Sequence, residues 1–154
     1  ERSRGLGDVY KRQVTSKVNV VLVEAAGQLP VMGLEALEAA IQAQRDIFTR
    51  ESGYLRAMYI LWYESLGRES DIRASLASHH VIYRRDVQQW IEQGQAAGEI
   101  RADVAPANFA TGYCSTMFGT IYQWVVAPDA IDLEAFFEHF AATVTVAITQ
   151  QRGD

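Results

Sequence analysis

The chain has 154 residues, of which 49% are hydrophobic and 21% charged, so it can form one globular domain with a real core. Its formal net charge of −5 argues against duplex DNA binding by these residues, because such modules usually carry a basic patch. The sequence contains no apolar run of roughly 20 residues, which excludes a membrane-spanning helix, and no signal-peptide pattern. Its one cysteine, Cys114, excludes an intramolecular disulfide. A cytoplasmic location is therefore expected.

The first residues differ in character from the rest of the chain. Residues 1–13 have little apolar periodicity, and Asp8–Gln13 resembles one reading frame of a transposase-type sequencing adaptor. We interpret residues 1–13 as a non-native leader, with a native disordered arm as the alternative. Residues 14–150 are then the domain itself, and the polar residues 151–154 are expected to be a disordered tail.

The domain is predicted to be all-α, with six helices and no strands. The first helix is expected over Lys17–Gly27, where the density of β-branched residues makes a strand the competing interpretation. Leu34–Phe48 carries one apolar stripe at helical spacing and predicts the second helix. The third, Tyr54–Leu66, is apolar nearly all round, so we expect it at the centre of the bundle.

The last three helices have clear boundary residues. Ser70–Ala97 predicts a long fourth helix that ends at Gly98. Pro106 suits the first turn of a helix and begins the fifth, an apolar segment. The sixth helix is predicted over Leu133–Thr149, with Asp132 as its N-cap.

The sequence offers little support for catalysis or metal binding. His79 and His80 are adjacent, and neighbouring side chains on a helix point about 100° apart, so they do not easily share one ion. Cys114 lies in an apolar pattern without an activating partner, which favours a small buried hydrophobe over a nucleophile. Phosphate-binding and nucleophile-elbow glycine motifs are absent. We therefore expect no metal, no cofactor and no enzymatic activity.

Aromatic side chains with polar tips recur on the third, fourth and fifth helices. Such residues suit an apolar pocket with a few orienting hydrogen bonds, although ordinary core packing is the alternative for any one of them. The predicted ligand-binding residues are Tyr59, Trp62, Tyr63, His80, Tyr83, Val87, Tyr113 and Met117.

The fifth and sixth helices carry more large apolar side chains than one core-facing stripe needs. A second apolar face on a helix indicates association, and Gly112 and Gly119 would permit close approach of a partner helix. Two such helices from each of two chains would build a four-helix interface with two-fold symmetry. The predicted dimer-interface residues are Phe118, Ile121, Tyr122, Val125, Phe137, Phe140 and Val144.

One stretch links these elements to a known family. The fourth helix ends in the turn Gly98-Glu-Ile-Arg101, and Pro106 begins the next helix. Together with Gly119 and Asp132, this pattern resembles the C-terminal half of TetR-type transcriptional regulators. The resemblance covers Thr15–Ile148, and its first residues are similar to the junction that follows the recognition helix in that family.

The resemblance implies a TetR-type helical bundle that dimerises through its last two helices. The chain would be the effector-binding and dimerisation domain of a ligand-responsive repressor that lacks its N-terminal helix-turn-helix. Its partners would be a second copy, a small hydrophobic or cationic effector between the second and fifth helices, and operator DNA only through the missing domain, with no membrane partner. A helical small-molecule or lipid-binding protein or enzyme without a regulatory role is one alternative, and a structural adaptor with a filled core is another.

Overall fold

A computed structural model describes residues 31–67 and 71–149 of the chain. Within them the chain forms five α-helices, a short 3-10 helix (Pro128–Ala130) and no strand beyond an isolated bridge. The helices are α1 (Gly33–Arg50), α2 (Ser52–Ser65), α3 (Asp71–Ala96), α4 (Pro106–Val126) and α5 (Leu133–Ile148). The all-α prediction is confirmed for these residues. The predicted helix Lys17–Gly27, the leader, the tail and the cap position Ser70 lie outside them.

The five helices correspond to the second to sixth predicted helices, with ends that differ by a residue or two. The break between the second and third predicted helices is shorter than expected, because α2 begins at Ser52 and only Glu51 separates it from α1. Asp132 is the predicted N-cap of α5, and its carboxylate accepts a hydrogen bond from the Ala135 amide at 3.0 Å. Ala105 precedes Pro106 at the start of α4 and offers no side-chain cap.

The turn between α3 and α4 is built on glycine. Gly98 has φ of +75°, a left-handed conformation that favours glycine after the end of a helix. The amides of Glu99 and Ile100 both donate to the Gly94 carbonyl, at 2.8 and 3.1 Å. A side chain at Gly94 would lie 2.5 Å from Cδ1 of Ile100, so only glycine lets Ile100 fold back onto the helix.

The same turn holds the end of α5. The Arg101 amide donates to the Ile148 carbonyl at 2.8 Å, and the Arg101 guanidinium donates to the Ala147 carbonyl at 3.2 Å. The Gln95 side chain donates to the carbonyls of Arg101 and Val104 at 2.8 and 2.7 Å. Residues 94–104 and the end of α5 therefore form one hydrogen-bonded unit, which we call the closed end.

The helices surround a single apolar core. Leu37 and Ile41 of α1 are fully buried, α1 packs against α2, α3 and α5, and α3 packs against α1, α2 and α4. The expectation that α2 lies at the centre is wrong, because Ile60 is 42% and Leu66 57% exposed. Apolar side chains make up much of any protein surface, so a helix that is apolar all round need not be enclosed. None of the described helices is long and apolar enough to cross a membrane.

Candidate ligand-binding site

A partly open cavity lies among α1, α2, α3 and α4, with one side chain from α5. The space between the lining side chains, its mouth included, is about 630 Å³, but only about 30 Å³ admits the centre of a water molecule. A ligand larger than a few waters therefore has to displace side chains. The lining residues are Gln44, Ile47, Phe48, Leu55, Met58, Tyr59, Trp62, His79, His80, Tyr83, Tyr113, Cys114, Met117, Phe118, Ile121 and Phe137.

The structure brings most of the predicted ligand-binding residues to this cavity. Those that line it are Tyr59, Trp62, His80, Tyr83, Tyr113 and Met117. Val87 is buried, with 1% exposure, but does not line the cavity. Sequence reasoning missed Gln44 and Phe48 on α1. Phe48 belongs to the regular apolar stripe of that helix, which looked like ordinary core, and no pattern singled out Gln44.

A second cavity adjoins the first. About 120 Å³ of this second cavity admits the centre of a water molecule. Three of its lining residues, Tyr63, Leu66 and Leu76, do not line the first cavity. Tyr59, Trp62, His80 and Phe118 line both cavities, so these four side chains form the wall between them. Within that wall the ring centroids of His80 and Phe118 are 4.4 Å apart. Rearrangement of this pair would join the two spaces.

Three buried polar atoms around the first cavity have no hydrogen-bond partner in the described part of the chain. They are Oε1 of Gln44, Nε1 of Trp62 and Oη of Tyr113. Trp62 and Tyr113 are only 8% and 5% exposed. Leaving such a group unpaired costs about 1–3 kcal/mol, so native proteins keep few of them and usually for a reason. All three belong to residues that line one cavity.

Among residues 31–67 and 71–149, none of those that line the cavity is a carboxylate, lysine or arginine. Burial raises the pKa of the Tyr59 and Tyr113 hydroxyls, so both stay protonated. Burial, and then the nearby Arg84 charge, lower the pKa of His80. Burial raises the pKa of the Cys114 thiol to about 11, which suits a packing residue and not a nucleophile. Among residues 31–67 and 71–149, no group of three or more His, Cys, Asp or Glu could hold a metal ion.

Comparison with known proteins now decides the family. Residues 55–150 match the family described as "Tetracyclin repressor-like, C-terminal domain". The chain belongs to this family. Its fold is similar to that of a TetR transcriptional regulator from Chloroflexus aurantiacus J-10-FL, with a TM-score of 0.71 at 18% identity over 96% of this chain and 75% of that chain. A comparison with curated proteins gave no match. The resemblance read from the Gly98–Arg101 turn and Pro106 is thus confirmed.

The residues predicted for the interface of a TetR-type dimer lie mostly inside the subunit. Ile121 and Phe137 are each 1% exposed and line the cavity, so the structure places them in the core instead of on a surface for a partner. Phe118 lines both cavities. The cavity accounts for part of the apolar excess on α4, because Tyr113, Met117, Phe118 and Ile121 line it, whereas α5 contributes only Phe137.

The other predicted interface residues are nearer the surface. Val125 and Val144 are each 9% exposed, and the half-buried Phe140 ring lies 5.7 Å from that of Tyr113. Tyr122 is the most accessible of the seven, at 49%, and its ring contacts Tyr63 with centroids 5.0 Å apart.

The exposed side of α4 is distinctive in another way. No charged residue occurs anywhere in Pro106–Val126. Residues four positions apart share one side of a helix, and the exposed positions on this side are mostly small. We define the outer face of α4 as Ala107, Asn108, Thr111, Gly112, Ser115, Thr116 and Gln123, all of them exposed. For a TetR-type domain, this uncharged face is where the sequence departs most from an ordinary solvated helix.

Proposed function

We propose that this chain is the effector-binding and dimerisation domain of a ligand-responsive transcriptional repressor. The observation that carries the proposal is the cavity, because three unpaired polar atoms surround it in a domain of the TetR-type family. An effector would act by binding one arrangement of the subunits more tightly than another. Only such a difference in affinity shifts the equilibrium between a DNA-binding and a released state.

The effector is proposed to be a small, mostly apolar compound. The ligand-binding role predicted for Tyr59, Trp62, Tyr83, Tyr113 and Met117 is consistent with their position on the cavity wall. Tyr63 and His80 would contact a ligand that extends into the second cavity. Val87 would act only through packing. A cationic effector could use the ring faces, but no carboxylate lines the cavity to balance its charge, so the apolar class is favoured.

This proposal can be tested by screening small apolar compounds for a rise in melting temperature. The screen is repeated on variants that change the volume of the cavity. Cys114 lines the cavity, so Cys114→Met should reduce the space and Cys114→Ala should enlarge it. A true effector should raise the melting temperature of the wild-type protein and of Cys114→Ala, by an amount that grows with its concentration, and should lose affinity for Cys114→Met. If small apolar compounds never stabilise the protein, a structural adaptor with a filled core becomes the better interpretation.

The partner on the outer face of α4 is proposed to be a second copy of the chain. This face has no charge and mostly small side chains, so two helices could approach closely. A charge at the exposed Ser115 should break the contact, whereas the same charge at the exposed Ala74 on α3 serves as a matched control. Light scattering after size exclusion should find a dimer for the wild type and Ala74→Arg, and a monomer for Ser115→Arg. A wild-type monomer at all concentrations would refute the proposal.

Operator DNA is proposed to be bound through a helix-turn-helix outside residues 31–149. The net charge of −5 gives this chain little attraction for phosphates. In a gel-shift assay at physiological salt, the chain alone is expected to leave random-sequence duplex DNA unshifted. A shift at micromolar protein would contradict this part of the proposal.

A further inference from the structure

The three unpaired polar atoms define what a ligand must offer, since each has a fixed chemistry. The indole Nε1 of Trp62 can only donate a hydrogen bond, and the Tyr113 hydroxyl, held protonated, can also donate. The third unpaired atom, Oε1 of Gln44, can only accept a hydrogen bond, so it would be satisfied by a donor on the ligand and not by an acceptor. A hydrogen-bond acceptor on the ligand is therefore required to pair the N–H of Trp62, and the same acceptor can also receive the O–H of Tyr113.

We propose that the cavity selects an uncharged, planar compound that carries a hydrogen-bond acceptor such as a carbonyl oxygen, which receives the N–H of Trp62 and the O–H of Tyr113. The inference rests on the proposed effector-binding function and names the chemical class of the effector. The two donors have no hydrogen-bond partner among residues 31–67 and 71–149, so a matching acceptor on a ligand would give each of them one. An apolar ligand of the same shape would leave both donors unpaired and bind more weakly.

The preference for a neutral compound follows from the composition of the wall. A buried ion needs a partner of opposite charge, and the lining residues include neither a carboxylate for a cation nor a lysine or arginine for an anion. Outside the wall, Arg84 lowers the pKa of His80 and Cys114, whereas Asp86 contributes to raising the pKa of Tyr83, so the nearby charges favour neither a cation nor an anion.

The preference for a planar compound follows from the shape and the rings. Only about 30 Å³ of the cavity admits the centre of a water molecule, so a ligand has to enter between the lining side chains. Its wall includes Phe48, whose ring lies 6.1 Å from that of Tyr59 and 5.9 Å from that of Phe137. Flat ligands enter between aromatic side chains with less displacement than branched ones, and they gain ring contacts.

Four probes of nearly equal size separate these properties. Acetophenone and α-methylstyrene have the same planar shape and differ only in a carbonyl oxygen against a methylene group. Benzoate adds a negative charge and phenyltrimethylammonium a positive one. Affinities for the full chain would be measured by calorimetry. The ¹H–¹⁵N spectrum gives a direct structural readout, because the chain has only three tryptophans and the indole signal missing in Trp62→Phe identifies Trp62.

Acetophenone is expected to bind about tenfold or more tightly than α-methylstyrene, and more tightly than either ion. It should also move the Trp62 indole proton downfield. Trp62→Phe and Tyr113→Phe keep an aromatic ring but remove a donor, so each should reduce the affinity for acetophenone roughly three- to tenfold and leave that for α-methylstyrene unchanged. Trp90→Phe alters a tryptophan that lines neither cavity and serves as the control for both ligands.

The outcomes distinguish this inference from the proposed function. If α-methylstyrene binds and acetophenone binds no better, or if phenyltrimethylammonium binds best, the acceptor class is wrong while the effector-binding function survives. If the Trp62 signal does not respond to acetophenone although it binds, the assignment of the donors is wrong. If none of the four probes binds at millimolar concentration, the inference fails, and the thermal-shift screen decides separately whether the proposed function fails with it.

Discussion

The closed end and the cavity lie in the same small bundle and treat their polar groups in opposite ways. At the closed end, Gln95 donates to two carbonyls, and Arg101 ties the turn to the end of α5 through backbone and side chain. Around the cavity, polar atoms of Trp62, Tyr113 and Gln44 are buried without a partner in the part of the chain that the structure describes. The hydrogen bonds of the closed end stabilise the fold, whereas the unpaired polar atoms around the cavity lower its stability.

This difference indicates a division of labour. A region that only has to hold the helices together is selected for filled volume and paired polar groups. Ile100 meets both conditions, because its side chain is fully buried against Gly94 and its amide donates to the Gly94 carbonyl. A region that binds a ligand has to keep space and donors available until the ligand arrives. Natural proteins tolerate local instability of this kind where function requires it. Substitutions in the two regions should therefore have opposite effects on the free energy of unfolding.

The largest effect is expected at Ile100. This side chain is fully buried and packs against Gly94, so Ile100→Ala should lower the free energy of unfolding by about 3 kcal/mol through lost contacts and the cavity left behind. Ile60→Ala is the matched control, because Ile60 is 42% exposed and its loss should cost less than about 1 kcal/mol. Urea unfolding measures both. Equal losses would show that the closed end is not a packed anchor.

A smaller loss is expected at Gln95. Its side-chain nitrogen donates to the carbonyls of Arg101 and Val104, so Gln95→Ala leaves both without this donor and should cost about 1–2 kcal/mol. Gln89 lies exposed on the same helix, and Gln89→Ala should change the stability by less than about 0.5 kcal/mol. If the two variants unfold at the same urea concentration, these hydrogen bonds do not stabilise the turn.

Sequence reasoning was most successful where local chemistry decides the structure. Gly98 as the end of α3, Pro106 as the start of α4 and Asp132 as the cap of α5 each depend on a few neighbouring residues, and the structure agrees at all three. It was less successful where burial depends on distant helices. Nothing local distinguishes Ile121 and Phe137, which are in the core, from side chains on an outer flank.

The candidate site lies between these two cases. Aromatic residues with polar tips on three helices were enough to predict a pocket, and several of those residues do meet at one cavity. Which of their polar atoms would lack a partner could not be predicted, because this depends on three-dimensional neighbours. Gln44 shows the limit most clearly, since no pattern in the sequence singles it out as a residue that lines the cavity.

The substitution Tyr113→Phe at the cavity should not lower the free energy of unfolding, in contrast to Ile100→Ala and Gln95→Ala at the closed end. The substitution removes a buried hydroxyl that has no partner in the described part of the chain and keeps the ring. The free energy of unfolding of the ligand-free protein should stay the same or rise by up to about 1 kcal/mol. Urea unfolding without ligand tests this. A loss of more than about 1 kcal/mol would mean that the hydroxyl is already hydrogen-bonded in solution, and the contrast between the two regions would disappear.

The smallest effect is expected from pH. Burial lowers the pKa of His80 below its ordinary value of 6.5, so the folded protein holds this side chain neutral at pH values where the unfolded chain already binds a proton. Stability should therefore fall as the pH drops from about 7 through this window, because protons favour the state that binds more of them. The substitution His80→Gln removes the titrating imidazole. The urea concentration at the midpoint of unfolding should therefore depend less on pH between 7.5 and 5.5 in this variant than in the wild type. Identical pH dependence in the two proteins would show that the surroundings of His80 do not lower its pKa in the folded protein.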